Sequence, residues 1–283
     1  MTTDPLTKTL ADDVHAVFAA LAADVPCDAP ALARSVVAAH RGQQADDLPS
    51  PALSSVVDAA RGARPGLRGL YAIVDATASS DFDDVVTRAR AVADGGACLV
   101  QLRMKGLTDR RALVLARATR EALSSTTARF IVNDRADLAV AARADGVHVG
   151  TDDLPLDVVR SIVGDDAIVG RSAHTLADLD EGLAAGSPSY LAFGPVFLST
   201  TKSGHAPVTG LARLAEAARH VALPLCAIGG VQTPLDAARA AASGASLVAA
   251  ISAFAHVDDP RAMALRFVVS IALAEELTRA HSR

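Results

Sequence analysis

The 283-residue sequence has no tryptophan, two tyrosines, seven phenylalanines and only three cysteines. Cys27, Cys98 and Cys226 lie far apart and are odd in number, which excludes a disulfide framework and a closely spaced zinc site. A reducing cytoplasm is the expected compartment. No block of five or more Lys and Arg occurs, and a net charge of -5 with a pI near 5.9 argues against nucleic acid as a partner. The most apolar stretch, Ala245 to Val257, is shorter than the roughly 20 residues that span a bilayer, so no membrane partner is expected. The start, MTTDPLTKTLADDVHAV, carries acids where a targeting segment needs bases and an apolar run. Gly-x-Ser-x-Gly and His-Glu-x-x-His are missing, which removes support for serine hydrolase and zinc protease chemistry. The chain is otherwise rich in core-forming residues, 51% hydrophobic against 21% charged, as in globular proteins.

Two textures divide the sequence near Gly62 to Gly66. Before that point Leu10, Val14, Val17, Phe18, Leu21 and Val25 recur at helical spacing, Asp28 is placed to cap a second helix carrying Leu32 and Val36, and Ser50-Pro51 opens a third with Leu53, Val56 and Val57 inward. Residues 1–66 therefore read as a helical extension of unknown role. From Leu67 to the end (67–283), β-rich runs alternate with amphipathic stretches about eight times. The runs are GLYAIVD, CLVQLRMK, RFIVND, GVHVG, AIVGRSA, SYLAFG, PLCAIGG and SLVAAIS. Strand then helix, repeated eight times, predicts an α/β fold of the (β/α)8 TIM-barrel type. An open doubly wound sheet is the alternative; the lack of Gly-x-Gly-x-x-Gly at LYAIVDATASS counts against its dinucleotide-binding version.

In such a barrel, chemistry belongs where each strand enters its following loop. Gln101, Arg103 and Lys105 alternate with Val100, Leu102 and Met104, so the polar set faces inward and the apolar set faces the helices. Two inward cations without partners would be costly, and an anion is their expected ligand. The third run ends in Asn133-Asp134 and the fourth opens into Asp152-Asp153, which brings the carboxylates of Asp134 and Asp153 to one rim. Capping is the ordinary job of such an Asp, but beside cations this pair suggests a magnesium-bound polyphosphate. Further round lie Ser172 and His174, the loop residues Ser199, Thr200, Thr201 and Lys202, then Gly229 and Gly230, and finally Ile251 and Ser252. Glycines after strand seven and a Ser after strand eight suit a phosphate site. Two phosphate sites imply two phosphorylated substrates or one long one. Cys98 and Cys226 read as inert core residues, and His148 and His205 show no evident partner.

Taken together and in order, QLRMK, FIVNDR, ADGVHVGTDDLP, GRSAH, GPVFLSTTK, AIGG and AIS resemble the thiamine phosphate synthase (thiamine-phosphate pyrophosphorylase) family over about residues 67 to 275. The resemblance implies a barrel that joins hydroxymethylpyrimidine diphosphate to thiazole phosphate, or its carboxylated form, and releases pyrophosphate with Mg2+ as cofactor. It assigns Gln101, Arg103, Lys105, Asn133, Ser172 and Lys202 to the pyrimidine diphosphate, Asp134 and Asp153 to Mg2+, and Ser199, Thr200, Thr201, Gly230, Ile251 and Ser252 to the thiazole phosphate. Of these, Arg103, Lys105, Asn133, Ser172 and Lys202 would act on the reacting diphosphate. The expected partners are these small molecules, with self-association into a homo-oligomer left open. Met104 stands where the family usually has an acid, but by alternation it points away from the ligand; Thr151 and Ser199 also depart from the family's usual residues, and neither of these two removes a charge. Two alternatives stay open: a related thiazole tautomerase, which would use His174 as its acid-base residue, and a non-catalytic binder of thiamine precursors.

Overall fold

The computed structural model describes residues 4–21, 28–41, 56, 58–60, 62, 66–198 and 207–281. Eight parallel strands, β1 (Gly69–Ala76), β2 (Leu99–Met104), β3 (Arg129–Asn133), β4 (Gly146–Val149), β5 (Ile168–Ala173), β6 (Tyr190–Phe193), β7 (Leu225–Ala227) and β8 (Leu247–Ala250), close into a barrel in chain order. All eight expected runs are strands. Outside them lie α3 (Phe82–Asp94), α4 (Asp109–Leu123), α5 (Ala136–Ala141), α6 (Leu156–Val163), α7 (Leu176–Ala184), α8 (Gly210–His220) and α9 (Pro234–Ala242), and a long α10 (Pro260–His281) follows a single 3-10 turn at Ser252–Phe254. Capping boxes Thr175/Asp178 and Thr233/Asp236 fix where α7 and α9 leave the mouth.

Strand alternation sorts the side chains into two cores. Val100, Leu102, Phe130, Val132 and Val147 point outward and merge with the helices, while Tyr71, Ile73, Leu99, Ile131, Tyr190, Cys226 and Leu247 fill the barrel. Gly170 on β5 makes the second set possible. A Cβ there would collide with the ring and hydroxyl of Tyr190, so only glycine lets that phenol lie across the interior.

The extension begins with α1 (Pro5–Ala20) and α2 (Ala29–His40), each capped by an Asp whose carboxylate accepts a backbone N–H, Asp4 from Thr7 and Asp28 from Ala31. Leu10, Val14, Val17, Leu32 and Val36 are buried and belong to the same apolar cluster as the barrel's outer layer. α1 packs on α2 and on α10 and α9. Asp13 takes two bonds from the Arg266 guanidinium, at 2.7 and 3.1 Å, and Arg261 donates to the His40 carbonyl at 3.2 Å. α10 is buried almost all round, from Ala264 through Leu277, with the barrel on one side and α1 on the other. Val56 is buried as expected, whereas Leu53, Val57 and the start at Ser50-Pro51 lie outside the described residues.

Candidate active site

The charged residues meet at the C-terminal rim, strand by strand. Asp75 on β1 and Arg103 on β2 are register partners, and the guanidinium donates to both carboxylate oxygens at 3.1 and 3.2 Å. Two residues on, the Lys105 ammonium donates to Asp134 at 2.8 Å. Asp134 in turn stands within hydrogen-bonding reach of Asp153, whose other support is the Gly150 N–H at 2.7 Å. The inward direction of Arg103 and Lys105 is as alternation requires, but the expectation of unpartnered cations is corrected: each holds a carboxylate, and both are partly exposed. Rim pairs of this kind contribute about 0 to 1 kcal/mol, so exchanging a carboxylate for a ligand's phosphate oxygens costs little.

Asp134 owes its aim to its backbone. It adopts φ 63°, a left-handed conformation that Asp tolerates better than most residues. Its N–H donates to the His148 carbonyl at 2.7 Å, and the Arg135 N–H donates to the Asn133 carbonyl at 2.7 Å, closing a three-residue turn about it. Partial burial of its carboxyl, opposed by the Gly150 N–H and reinforced by the Asp134 charge, raises the Asp153 pKa above the usual carboxylate range, even though the residue as a whole is exposed. The described rim therefore carries two cations, Arg103 and Lys105, against three carboxylates, Asp75, Asp134 and Asp153.

Below the rim the interior is polar where the sequence looks apolar. Gln101 is buried and donates to the Tyr71 hydroxyl at 2.6 Å, the Tyr71 and Tyr190 hydroxyls meet at 2.9 Å, and His148 bridges the Tyr190 hydroxyl at 2.9 Å and the Ser172 hydroxyl at 3.0 Å. His148 thus has two partners, contrary to the sequence expectation. Burial lowers its pKa to about 4, and burial pushes both tyrosines up, so all three are uncharged. Tyr71 and Tyr190 are the chain's only tyrosines. That scarcity is the signal that could have singled them out.

The remaining candidates divide. Gly229 and Gly230 have φ 90° and 74°, and a Cβ on either would strike the backbone of Pro195, Phe197 or Leu198. Both are required for the close approach of the loops after β6 and β7, where Phe197 donates to the Gly229 carbonyl at 3.0 Å. Ile251 and Ser252 open the 3-10 turn after β8. Asn133 closes β3 opposite His148 in register. Ser199, Thr200, Thr201, Lys202 and His205 lie outside the described residues. His174 spends Nδ1 on the Gly194 carbonyl at 2.7 Å, the bond of a loop anchor. Cys226 is fully buried and its thiol pushed up by burial, while Cys98 is half-buried with its thiol 3.2 Å from the Leu70 carbonyl.

The family described as thiamine monophosphate synthase matches residues 70–254, which leaves the extension outside the match. A thiamine-phosphate synthase from Anaeromyxobacter dehalogenans is 43% identical over 218 residues, covering 76% of this chain and 92% of the relative. Another from Thioalkalivibrio sulfidiphilus is 40% identical over 200 residues, covering 71% and 93%. Among solved structures, thiamine phosphate pyrophosphorylase from Pyrococcus furiosus superposes with a TM-score of 0.64 at 29% identity, over 73% of this chain and 98% of that one. A geranylgeranylglyceryl phosphate synthase from Thermoplasma acidophilum, 15% identical with a TM-score of 0.55, shares the fold alone.

Proposed function

From the premise that the chain belongs to the thiamine monophosphate synthase family, we propose that its barrel mouth joins 4-amino-2-methyl-5-hydroxymethylpyrimidine diphosphate to 4-methyl-5-(2-hydroxyethyl)thiazole phosphate. The enzyme is a thiamine-phosphate synthase, a transferase. The observation that carries the site assignment is the unbroken rim Asp75, Arg103, Lys105, Asp134, Asp153, with charges of both signs at hydrogen-bonding distance.

The donor set fits Mg2+. Two crowded carboxylates, one with its proton affinity raised by its surroundings, are relieved by a divalent ion, and Mg2+ commonly takes one or two carboxylates plus substrate oxygens. Asp134 and Asp153 would hold it, and when bound it supplies charge neutralisation for a diphosphate that the carboxylate-rich rim would otherwise repel. The protein's own residues do the rest. Arg103 releases Asp75 and turns its planar fork to the diphosphate, Lys105 adds a point charge, and Ser172 and Asn133 offer polar groups from β5 and β3. The C–O bond breaks with its electrons leaving on pyrophosphate, the aminopyrimidine ring feeds electrons to the methylene carbon, and the thiazole nitrogen's lone pair forms the new C–N bond. Ser199, Thr200, Thr201, Gly230, Ile251 and Ser252 are assigned to the thiazole phosphate, with Lys202 joining the diphosphate side. Holding both reactants in line and stabilising the departing anion supply the acceleration, so no nucleophile-base pair is needed.

Asp134→Asn, which tolerates the same left-handed backbone, tests this reading. It is expected to lower pyrophosphate release by about 100-fold or more, the scale of losing an anchored charge at the reacting centre, with the thermal midpoint little changed. Undiminished turnover would remove Asp134 from the metal site.

A further inference from the structure

Asp75 is the rim residue that the reaction as described leaves without a task. Asp134 and Asp153 serve the cation, and the diphosphate needs Arg103 and Lys105, so a third acid on Arg103 opposes the binding beside it. Asp75 is also the one exposed residue of β1, brought inward at the mouth by alternation from Tyr71 and Ile73. Stability does not account for it. β1 and β2 are already joined in register over six residue pairs, and the Lys105 N–H donates to the Ala76 carbonyl at 2.9 Å. A partly exposed ion pair adds little to such a ladder.

The bond between them has the geometry of an exchangeable hold. A single nitrogen of Arg103, Nη1, is shared by both Asp75 oxygens at 3.1 and 3.2 Å, longer than the roughly 2.7 to 2.9 Å of a strong charge-assisted bond. Among the described residues Nε and Nη2 of Arg103 make no hydrogen bond. Fixed pairs in the same chain look different. Arg266 donates from Nε and Nη2 to separate oxygens of Asp13, and Arg135 grips Asp137 in the same way at 2.9 and 2.6 Å. Asp75 thus keeps Arg103 at the mouth while leaving its two-nitrogen edge unused. An anion that presents two oxygens to that edge gains the better geometry and displaces the carboxylate. The displaced acid stays tethered one strand away, so it meets the guanidinium again whenever the anion loosens.

We propose that Asp75 is a positioning residue that stands in for the diphosphate: its carboxylate keeps Arg103 at the mouth, yields it to the incoming substrate and reclaims it from pyrophosphate. The hold on the product is weakened in proportion to the time Arg103 spends on Asp75, which speeds its departure. The place of this exchange in turnover rests on the proposed transferase reading; the competition for Arg103 is read with pyrophosphate alone.

Calorimetric titration of the full-length protein with pyrophosphate and Mg2+ measures that competition without turnover. Asp75→Asn keeps the shape and removes the charge. It is expected to bind pyrophosphate about tenfold more tightly, about fivefold from freeing Arg103 and about twofold from lost repulsion. With Arg103→Gln already in place only the repulsion is left, so the same change is expected to gain about twofold. Weaker or unchanged binding in Asp75→Asn would make the acid a support that Arg103 needs while it holds the anion. Equal gains in the two backgrounds would make it an ordinary negative charge. Either result overturns the proposal, as does a lack of pyrophosphate binding in both the wild type and Asp75→Asn. Kinetics with both substrates supply a second reading. The inhibition constant of pyrophosphate and KM for the pyrimidine diphosphate are expected to fall together in Asp75→Asn, with KM for the thiazole phosphate unmoved; an inhibition constant that stays put contradicts the proposal. A wild type with no turnover at all would remove the transferase reading and leave the calorimetric result standing.

Discussion

Asp153 is held in an arrangement that weakens the fold and that, on the proposed reading, serves to bind a cation. Partial desolvation and the adjacent Asp134 raise its pKa, which means the folded protein binds this proton more tightly than the unfolded chain, so the pair weakens the fold increasingly as pH rises through that value. A divalent cation that neutralises the pair should therefore stabilise. Adding Mg2+ at neutral pH is expected to raise the thermal midpoint of the wild type. Asp153→Asn should raise it without metal and shrink the metal-dependent gain, both read by calorimetry. A wild-type midpoint indifferent to Mg2+ would count against the site. At this scale alternation was enough to read Gln101, Arg103 and Lys105 as one face, since it depends on strand geometry alone. It missed Asp75, because a lone acid ending an apolar strand looks like a cap, and it missed the role of His148, whose partners sit 42 and 24 residues away in sequence. Composition held an unused signal: Lys8, Lys105 and Lys202 are the only lysines among 27 basic residues, and two of the three are site candidates.

The elements of the barrel were legible because each strand carries β-rich residues and each helix a periodic apolar face. α10 behaves differently. It buries Leu265, Phe267, Val269, Ile271 and Leu273 around its whole circumference, which a two-layer barrel does not need, and periodicity within one element cannot say what covers the second side. The structure supplies α1, tied by Asp13 to Arg266. A truncation starting at Leu67 strips that cover, and losing the burial of even two large side chains costs about 4 kcal/mol, or a drop of roughly 10 °C in the midpoint. Stronger binding of an apolar dye should accompany it. A truncated chain as stable and as dye-free as the full one would show that the extension has no share in the fold.

The whole molecule has an acid limit set by two histidines. His40, depressed by burial and then by Arg261, and His148, depressed by burial, each have a pKa near 4 against 6.5 in the unfolded chain. The unfolded chain therefore takes up protons first as pH falls. Their contribution is intact above pH 6.5 and disappears between 6.5 and about 4. For fully buried His148 this is on the order of 3 kcal/mol, and less for partly exposed His40. Denaturant midpoints measured across that window should fall, and His40→Leu should flatten part of the slope; a flat profile in the wild type contradicts both assignments. At this scale the eightfold alternation sufficed to foresee a closed barrel, whereas the packing of α1 on α9 and α10 depends on contacts spanning up to 253 residues, as in Asp13 with Arg266.

All of these features serve one claim, that the rim from Asp75 to Asp153 is built to part a diphosphate from an aminopyrimidine in the presence of a thiazole phosphate. The direct test is to incubate the full-length protein with both substrates and Mg2+ and follow pyrophosphate and thiamine phosphate together. The account predicts that the two products appear in equal amounts and that chelating the metal stops both. A folded protein that yields neither, or one that changes the thiazole phosphate without consuming the diphosphate, contradicts it.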